Sequence, residues 1–240
     1  MTPAKARAEA AARLQAAGID GAARDADRIL AAVMGIQPGR LRHIDRELTA
    51  DEMQRLWAGI DAREQHQPVA QIVGFRDFYA HRFIVTPDTL DPRPETEVLI
   101  DTALNLSWTS VLDMGTGTGA ILISLLAARA GSRGLGTDIS PAALDVARRN
   151  AHLINVTAEF RHSDWYGDVP ERFDLIVSNP PYIALDEMAA LSPDVRQWEP
   201  ATALTDGGDG LGAYRIIAAG AAARLNPGGH VLVEIGPRQG

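Results

Sequence analysis

Four consecutive residues carry the most specific chemistry in the chain: Asn179, Pro180, Pro181 and Tyr182, directly after the apolar run Ile176-Val177-Ser178. A side-chain amide or an aromatic amine is a weak nucleophile, because its nitrogen lone pair is delocalised, and it carries two N–H donors. Two fixed acceptors can hold both hydrogens, aim the nitrogen and favour its pyramidal form in a transition state. The Asn179 side-chain oxygen is one such acceptor and the Pro180 carbonyl the other, since prolines bring carbonyls without competing N–H groups. Tyr182 offers an aromatic face for a planar amide or base. An N-alkylated cationic amide sheds its proton readily, so the site needs positioning more than a strong base. The pattern reads as alkyl transfer to an amide or amine nitrogen; the plainer alternative is a rigid exit from a strand.

Three further marks lie upstream. Asp113-Met114 leads into Gly115-Thr116-Gly117-Thr118-Gly119, a turn from a strand end into a helix. Glycines there let the backbone turn sharply and let a ligand approach the main chain. The spacing is Gly-x-Gly-x-Gly rather than Gly-x-Gly-x-x-Gly, and no Gly-Lys-Ser/Thr follows, so a phosphate cradle is not indicated. Asp113 disfavours a pyrophosphate and suits a cationic ligand. Asp138 follows Gly119 by 19 residues at the end of the next strand, where an acidic residue accepts from a ribose diol; it equally suits the cap of the helix that begins near Ser140. After the third strand, His162-Ser163-Asp164-Trp165 sets a carboxylate and an aromatic ring where they could bracket an adenine ring, or simply form an acidic loop with a packed tryptophan.

Other chemistries are excluded. The chain has no cysteine, which removes thiol nucleophiles, Cys-ligated zinc, Fe–S clusters and disulfides. The six histidines, from His43 to His230, show no paired spacing, so no metal site is indicated, and no Gly-x-Ser-x-Gly elbow appears. No apolar run is long enough to span a bilayer, and the N-terminus lacks a signal core. The net charge of −8 falls unevenly: residues 1–90 hold 12 basic and 12 acidic side chains, residues 91–240 hold 11 and 19. An acidic half argues against broad nucleic-acid binding, which rests on Lys and Arg at phosphates.

The elements that must position these residues fall into two patterns. Residues 2–66 read as three or four short amphipathic helices. Thr2-Pro3 starts one and Gly18 stops it, another runs from Asp20 to Gly35, and Thr49 with Glu52 forms a capping-box pattern ahead of the apolar stripe Met53, Leu56, Trp57 and Ile60. The aromatic, β-branched stretch 74–85 predicts a hairpin turning near Ala80-His81. Pro94 opens a helix from Glu95 to Leu106. Strands are expected at Thr109–Asp113, Gly134–Asp138, Ala158–His162, Phe173–Ser178 and Gly229–Glu234, with helices at 119–130, 140–152 and 210–224. This β-α-β alternation implies a parallel sheet. Residues 183–200 are expected to form a long loop that walls the site.

Asp-Met-Gly-Thr-Gly-Thr-Gly, Asp138 and Asn-Pro-Pro-Tyr together resemble class I S-adenosylmethionine-dependent amino methyltransferases, and among them the protein-(glutamine-N5) methyltransferases of peptide chain release factors. The likeness covers nearly the whole chain. It takes in Pro68 to Gly74, the aromatic hairpin, Pro92-Arg93-Pro94-Glu95-Thr96-Glu97, and Glu199-Pro200 through Asp209-Gly210-Leu211. It implies a Rossmann-like α/β methyltransferase domain at 91–240, a helical bundle at 1–67 that helps dock the substrate, and a hairpin linker at 68–90. It further implies that Gly115, Thr116, Gly117, Thr118 and Gly119 wrap the methionine part of S-adenosylmethionine. Asp138 would bind its ribose, Trp165 would lie near the adenine, and Asn179 would touch both cofactor and substrate. Asn179, Pro180, Pro181 and Tyr182 would hold the glutamine of a Gly-Gly-Gln loop. A cytoplasmic monomer without membrane or nucleic-acid partners is the matching expectation.

Two departures accompany the likeness. Asp91 stands where the family more often has an aliphatic residue. The chain ends at Gly240, just after the fifth strand, where the resemblance implies a further helix and an antiparallel strand pair, so a truncated or incomplete chain is expected. The alternatives are a glutamine methyltransferase for a ribosomal protein, an adenine-N6 or guanine-N2 methyltransferase of nucleic acid, and a binding module that keeps the cofactor pocket without activity.

Overall fold

Thr2 and Thr49 set the first helices. In the computed structural model, which describes Met1–Gly240, the Thr2 hydroxyl accepts from the Lys5 N–H at 3.4 Å as α1 (Pro3–Ala16) begins. After α2 (Ala22–Val33), α3 (Ala50–Glu64) opens on a complete capping box. Thr49 Oγ1 accepts from the Glu52 N–H at 3.1 Å, and the Glu52 carboxylate accepts from the Thr49 N–H at 2.8 Å. Arg46 donates to the same carboxylate and, with Thr49, pulls Glu52 down to about 2. α4 (Val69–Val73) packs on α2 and α3. The apolar faces meet around Leu14, Ile29, Leu30, Leu56 and Ile60, all buried.

Next comes an antiparallel hairpin, β1 (Phe75–Phe78) and β2 (His81–Ile84). It turns at Tyr79-Ala80, one residue earlier than expected. Tyr79 takes a left-handed φ of 53°, its N–H donates to Glu97 at 2.9 Å, and its hydroxyl donates to Asp101 at 3.0 Å. Pro94–Thr96 form a separate 3-10 turn, and α5 spans Glu97–Leu104. The helix stops short of Leu106. Side chains take the carbonyls there: Trp108 Nε1 donates to Ala103 and Arg129 donates to Leu104 and Leu106.

From here strands and helices alternate: β3 (Ser110–Met114), α6 (Ala120–Ala128), β4 (Arg133–Asp138), α7 (Pro141–Ile154), β5 (Glu159–His162) and β6 (Phe173–Ser178). A 3-10 turn at Met188–Ala190 and α8 (Pro193–Trp198) occupy the stretch expected as a loop, and α9 (Ala201–Leu204) follows it. α10 (Gly212–Arg224) and β7 (Leu225–Val233) complete the order. The five later strands pair in parallel in the order β5-β4-β3-β6-β7. β7 starts four residues earlier than expected, and its register shifts between the partners of Phe173 and Leu175. Pro227 cannot donate to the ladder, and Asn226 instead donates to Asp174 at 2.7 Å. No helix is long and apolar enough to cross a membrane.

Contacts group the chain into two units. One comprises Met1–Gly74 with Pro193–Trp198, the other Phe75–Ser192 with Glu199–Gly240. The stretch 68–90 thus divides at Gly74, α4 lying with the bundle and the hairpin with the sheet unit. Within the first unit, Arg63 is buried between two carboxylates, donating to Asp25 at 2.8 Å and pairing with Asp194 at 2.7 Å. Removing one member of such a group leaves a buried charge without its partner. Arg63→Met is therefore expected to lower stability by about 3 kcal/mol in urea unfolding followed by tryptophan fluorescence; an unchanged midpoint would show that the pair contributes nothing.

Candidate active site

The order β5-β4-β3-β6-β7 reverses direction at β3, because the chain winds from β3 to β5 on one side and returns to β6 on the other. A crevice opens at such a point, outside the carboxyl ends of the strands. The residues with chemistry sit at those ends: Gly115 after β3, Asp138 closing β4, Ser163 after β5, Asn179 after β6 and Glu234 after β7. A cavity of about 410 Å³ lies there, lined among others by Gly115, Gly117, Asp138, Trp165, Asn179 and Pro181. Thr116 and Thr118 also line it.

The glycine loop is built for close approach. Gly115 and Gly117 adopt φ of 68° and 55°, a region that L side chains rarely occupy, and open space lies where a Cβ would point. Thr116 ties the loop to β3 by donating to Asp113 at 2.6 Å, and its N–H donates to Thr137 on β4 at 2.9 Å. Asp113 is wholly buried below the loop and does not line the cavity. Burial pushes its carboxyl up to about 7 against the pull of the Thr116 hydroxyl. Its place makes it an anchor of the loop rather than a ligand contact. Gly119 is the turn residue that starts α6, outside the cavity lining.

Asp138 accepts from the Gly117 N–H and from the Ser140 N–H, both at 2.9 Å. The cap of α7 is Ser140, whose hydroxyl accepts from the Ala143 N–H at 3.2 Å. Asp138 therefore stands beside the cap and keeps lone pairs for the cavity. Burial raises its carboxyl, opposed by the N–H groups of Ser140, Gly117 and Ile139. Trp165 is half-buried and takes a left-handed φ of 50° in a turn closed by Ser163, whose hydroxyl donates to the Trp165 carbonyl at 2.9 Å.

The Asn179 amide nitrogen donates to Thr96 Oγ1 at 3.3 Å, and the Thr96 hydroxyl donates to Glu234 Oε2 at 2.6 Å. Burial raises the Glu234 carboxyl, helped by Glu95 and opposed by the polar side chains of Thr96, Asn179 and Tyr182. Pro180 is buried and Tyr182 half-buried, and neither lines the cavity. The Tyr182 backbone is fixed from behind: Gln239 donates to its carbonyl at 3.0 Å, and a Cβ on Gly210 would lie 2.4 Å from that oxygen. Thr96 and Glu234, which form the hydrogen-bonded chain behind Asn179, are not among the site residues the motifs indicate. The signal was available in the register, since Ser178 pairs with Val233 and the next residues along are Asn179 and Glu234.

The charge of the cavity decides what it can hold. Asp88, Asp138, Asp164 and Asp206 line it, and Arg93 is the only basic lining side chain. Arg93 is already engaged, donating to both Glu199 oxygens at 2.7 Å. A pyrophosphate would find no counter-charge there, whereas a cationic nucleoside derivative would find carboxylates, an aromatic ring and an open main-chain cradle. The parallel sheet, its glycine turn and the acidic strand ends define a class I methyltransferase domain.

The comparisons with known proteins agree. Residues 78–197 match the family described as Methyltransferase small domain, and residues 5–74 match the PrmC N-terminal domain. A release factor glutamine methyltransferase of Cereibacter sphaeroides is 57% identical over all of this chain and 87% of its own length. Relatives of that name from Rhodospirillum rubrum and Agrobacterium fabrum are 45% and 42% identical, over 95% and 93% of this chain and 72% and 81% of their own lengths. This chain belongs to the release factor glutamine methyltransferase family.

Proposed function

We infer that the chain methylates the side-chain amide nitrogen, N5, of the glutamine in a Gly-Gly-Gln motif of peptide chain release factors, using S-adenosylmethionine. One observation carries the reading. Asn179 lines the cavity while its amide nitrogen is committed to Thr96, which leaves its oxygen to accept from a substrate N–H. The names of the relatives support release factors over a ribosomal protein or nucleic acid, and the acidic cleft supports a protein substrate over a polyanion.

When bound, S-adenosylmethionine supplies an electrophilic methyl group on a positively charged sulfur. The residues present fit it. Gly115 to Thr118, all in the lining, would hold the methionine part. Asp138 would accept from the ribose hydroxyls, and Trp165 would pack against the adenine. On the substrate side, Asn179 Oδ1 and the Pro180 carbonyl accept the two glutamine N–H hydrogens and aim the nitrogen. Pro181, which lines the cavity, would shape the slot for the planar amide. As the nitrogen gains its fourth bond it becomes cationic, and hydrogen bonds from a cationic donor to fixed acceptors strengthen. That is transition-state stabilisation without a general base, and the extra proton leaves to water. The helical bundle contributes to release-factor docking.

Radiolabelled S-adenosylmethionine offered with release factors, DNA and RNA tests the reading. Label should appear only on the release factor that keeps Gly-Gly-Gln and not on one with Gly-Gly-Ala; label on nucleic acid would overturn it. Asn179→Ala is expected to cut kcat by about 10²–10³-fold while leaving cofactor affinity nearly intact. Asp138→Ala should do the opposite, weakening S-adenosylhomocysteine binding by roughly tenfold or more in calorimetry. Equal effects of the two variants on both quantities would remove this division of labour.

A further inference from the structure

A carboxylate that only accepts can dictate which way a nearby carboxamide points. Glu234 follows the end of β7, and its N–H donates to Ser178 O at 3.0 Å, continuing the β6–β7 ladder. Its side chain accepts from the Thr96 hydroxyl at 2.6 Å, and Asn179 donates its amide nitrogen to that same Thr96 oxygen at 3.3 Å. An ionised carboxylate has no proton to give. The Thr96 hydroxyl hydrogen is therefore spent on Glu234, and the Thr96 oxygen can only accept. Asn179 faces that oxygen at 3.3 Å, so it must present its NH₂ group to it. The Asn179 oxygen is then the atom left for the substrate. A carboxamide turned by 180° has the same shape, but here it would set its oxygen against the Thr96 oxygen, whose hydrogen is already donated to Glu234.

We propose that Glu234, acting through Thr96, is a specificity-determining positioning residue that locks Asn179 with its oxygen toward the substrate, so that the site accepts a carboxamide and rejects a carboxylate of the same shape. The proposal rests on the reading that the substrate is a glutamine side chain. Glutamine brings two N–H donors to Asn179 and Pro180, whereas glutamate brings lone pairs to the same two oxygens. A site built to receive N–H groups discriminates strongly against an analogue that lacks them, because its buried acceptors stay unpaired. The charge of Glu234 adds repulsion toward a substrate carboxylate and attraction toward a nitrogen that becomes cationic. Without the lock, Asn179 could turn its NH₂ outward and pair with a carboxylate, and discrimination would fall.

The test uses the full chain with saturating S-adenosylhomocysteine and a release factor carrying either Gly-Gly-Gln or its Gln→Glu substitution, with binding read by calorimetry. The wild type is expected to favour the glutamine form by about tenfold or more, and Glu234→Gln to reduce that preference to about threefold or less. In the same variant kcat should drop by roughly 30-fold while S-adenosylhomocysteine affinity changes by less than about twofold. If Glu234→Gln loses cofactor binding altogether, the Thr96 pair decides: Thr96→Val should lose the preference and Thr96→Ser, which keeps the hydroxyl, should restore it. A wild-type preference in Glu234→Gln, or equal preferences in Thr96→Val and Thr96→Ser, would overturn the proposal. Failure of the wild type to methylate the Gly-Gly-Gln factor would instead overturn the functional reading itself.

Discussion

The parallel pairing of β3 with β4 and β6 is the constraint on which the site depends. Parallel strands need crossovers, crossovers put every carboxyl end on one side, and reversal of the winding at β3 leaves a crevice there. Ser178 beside Met114 and Val233 beside Ser178 fix the depth at which each strand releases its chain. A slip of one residue would turn every side chain to the opposite face and break the row formed by Gly115, Asn179 and Glu234. Ser178 reinforces the register by donating to the Met114 carbonyl at 2.7 Å. At the opposite end of the sheet, Asp174 accepts from Thr109, Ser110 and Asn226, which hold its carboxyl well below the usual range and tie β3, β6 and β7 together.

Given that frame, the crevice is polarised in two ways. One half is an acidic pocket with a bare main-chain cradle, suited to a cationic nucleoside. The other is a rigid corner in which a carboxamide and prolines stand beside a half-buried carboxylate. Both halves favour positive charge, and both are held by hydrogen bonds already made within the chain. Preorganised acceptors need not reorganise as charge develops, which suits a reaction whose difficulty is the poor nucleophilicity of an amide.

Much of this was legible in the residues. The Asn179–Tyr182 run, the glycine turn and Asp138 are local signals, and each lies at a strand end as expected. The capping box at Thr49 and Glu52 formed as its spacing implied. What was illegible depended on tertiary pairing. β7 starts earlier because Leu225 pairs with Phe173 and Asn226 finds Asp174, and the register shifts beyond them where Pro227 cannot donate. The end of α5 was decided by Trp108 and Arg129, side chains outside the helix. Thr96 and Glu234 stood in plain sight within a turn and at a strand end, but only the β6–β7 register brings Glu234 beside Asn179, and only tertiary packing of the turn brings Thr96 to both. Residues 183–200 read as a loop from their prolines and charges, yet Asp194 on α8 finds Arg63, a partner more than a hundred residues away that no local pattern could supply.

The central claim is that two oxygens, one from a side chain and one from the backbone, grip the glutamine amide. A crystal structure with S-adenosylhomocysteine and a release-factor Gly-Gly-Gln loop tests it most directly. The account requires the glutamine nitrogen at about 3 Å from both Asn179 Oδ1 and the Pro180 carbonyl oxygen. A glutamine oxygen turned toward Asn179, or a loop seated outside the crevice at the strand ends, would contradict it.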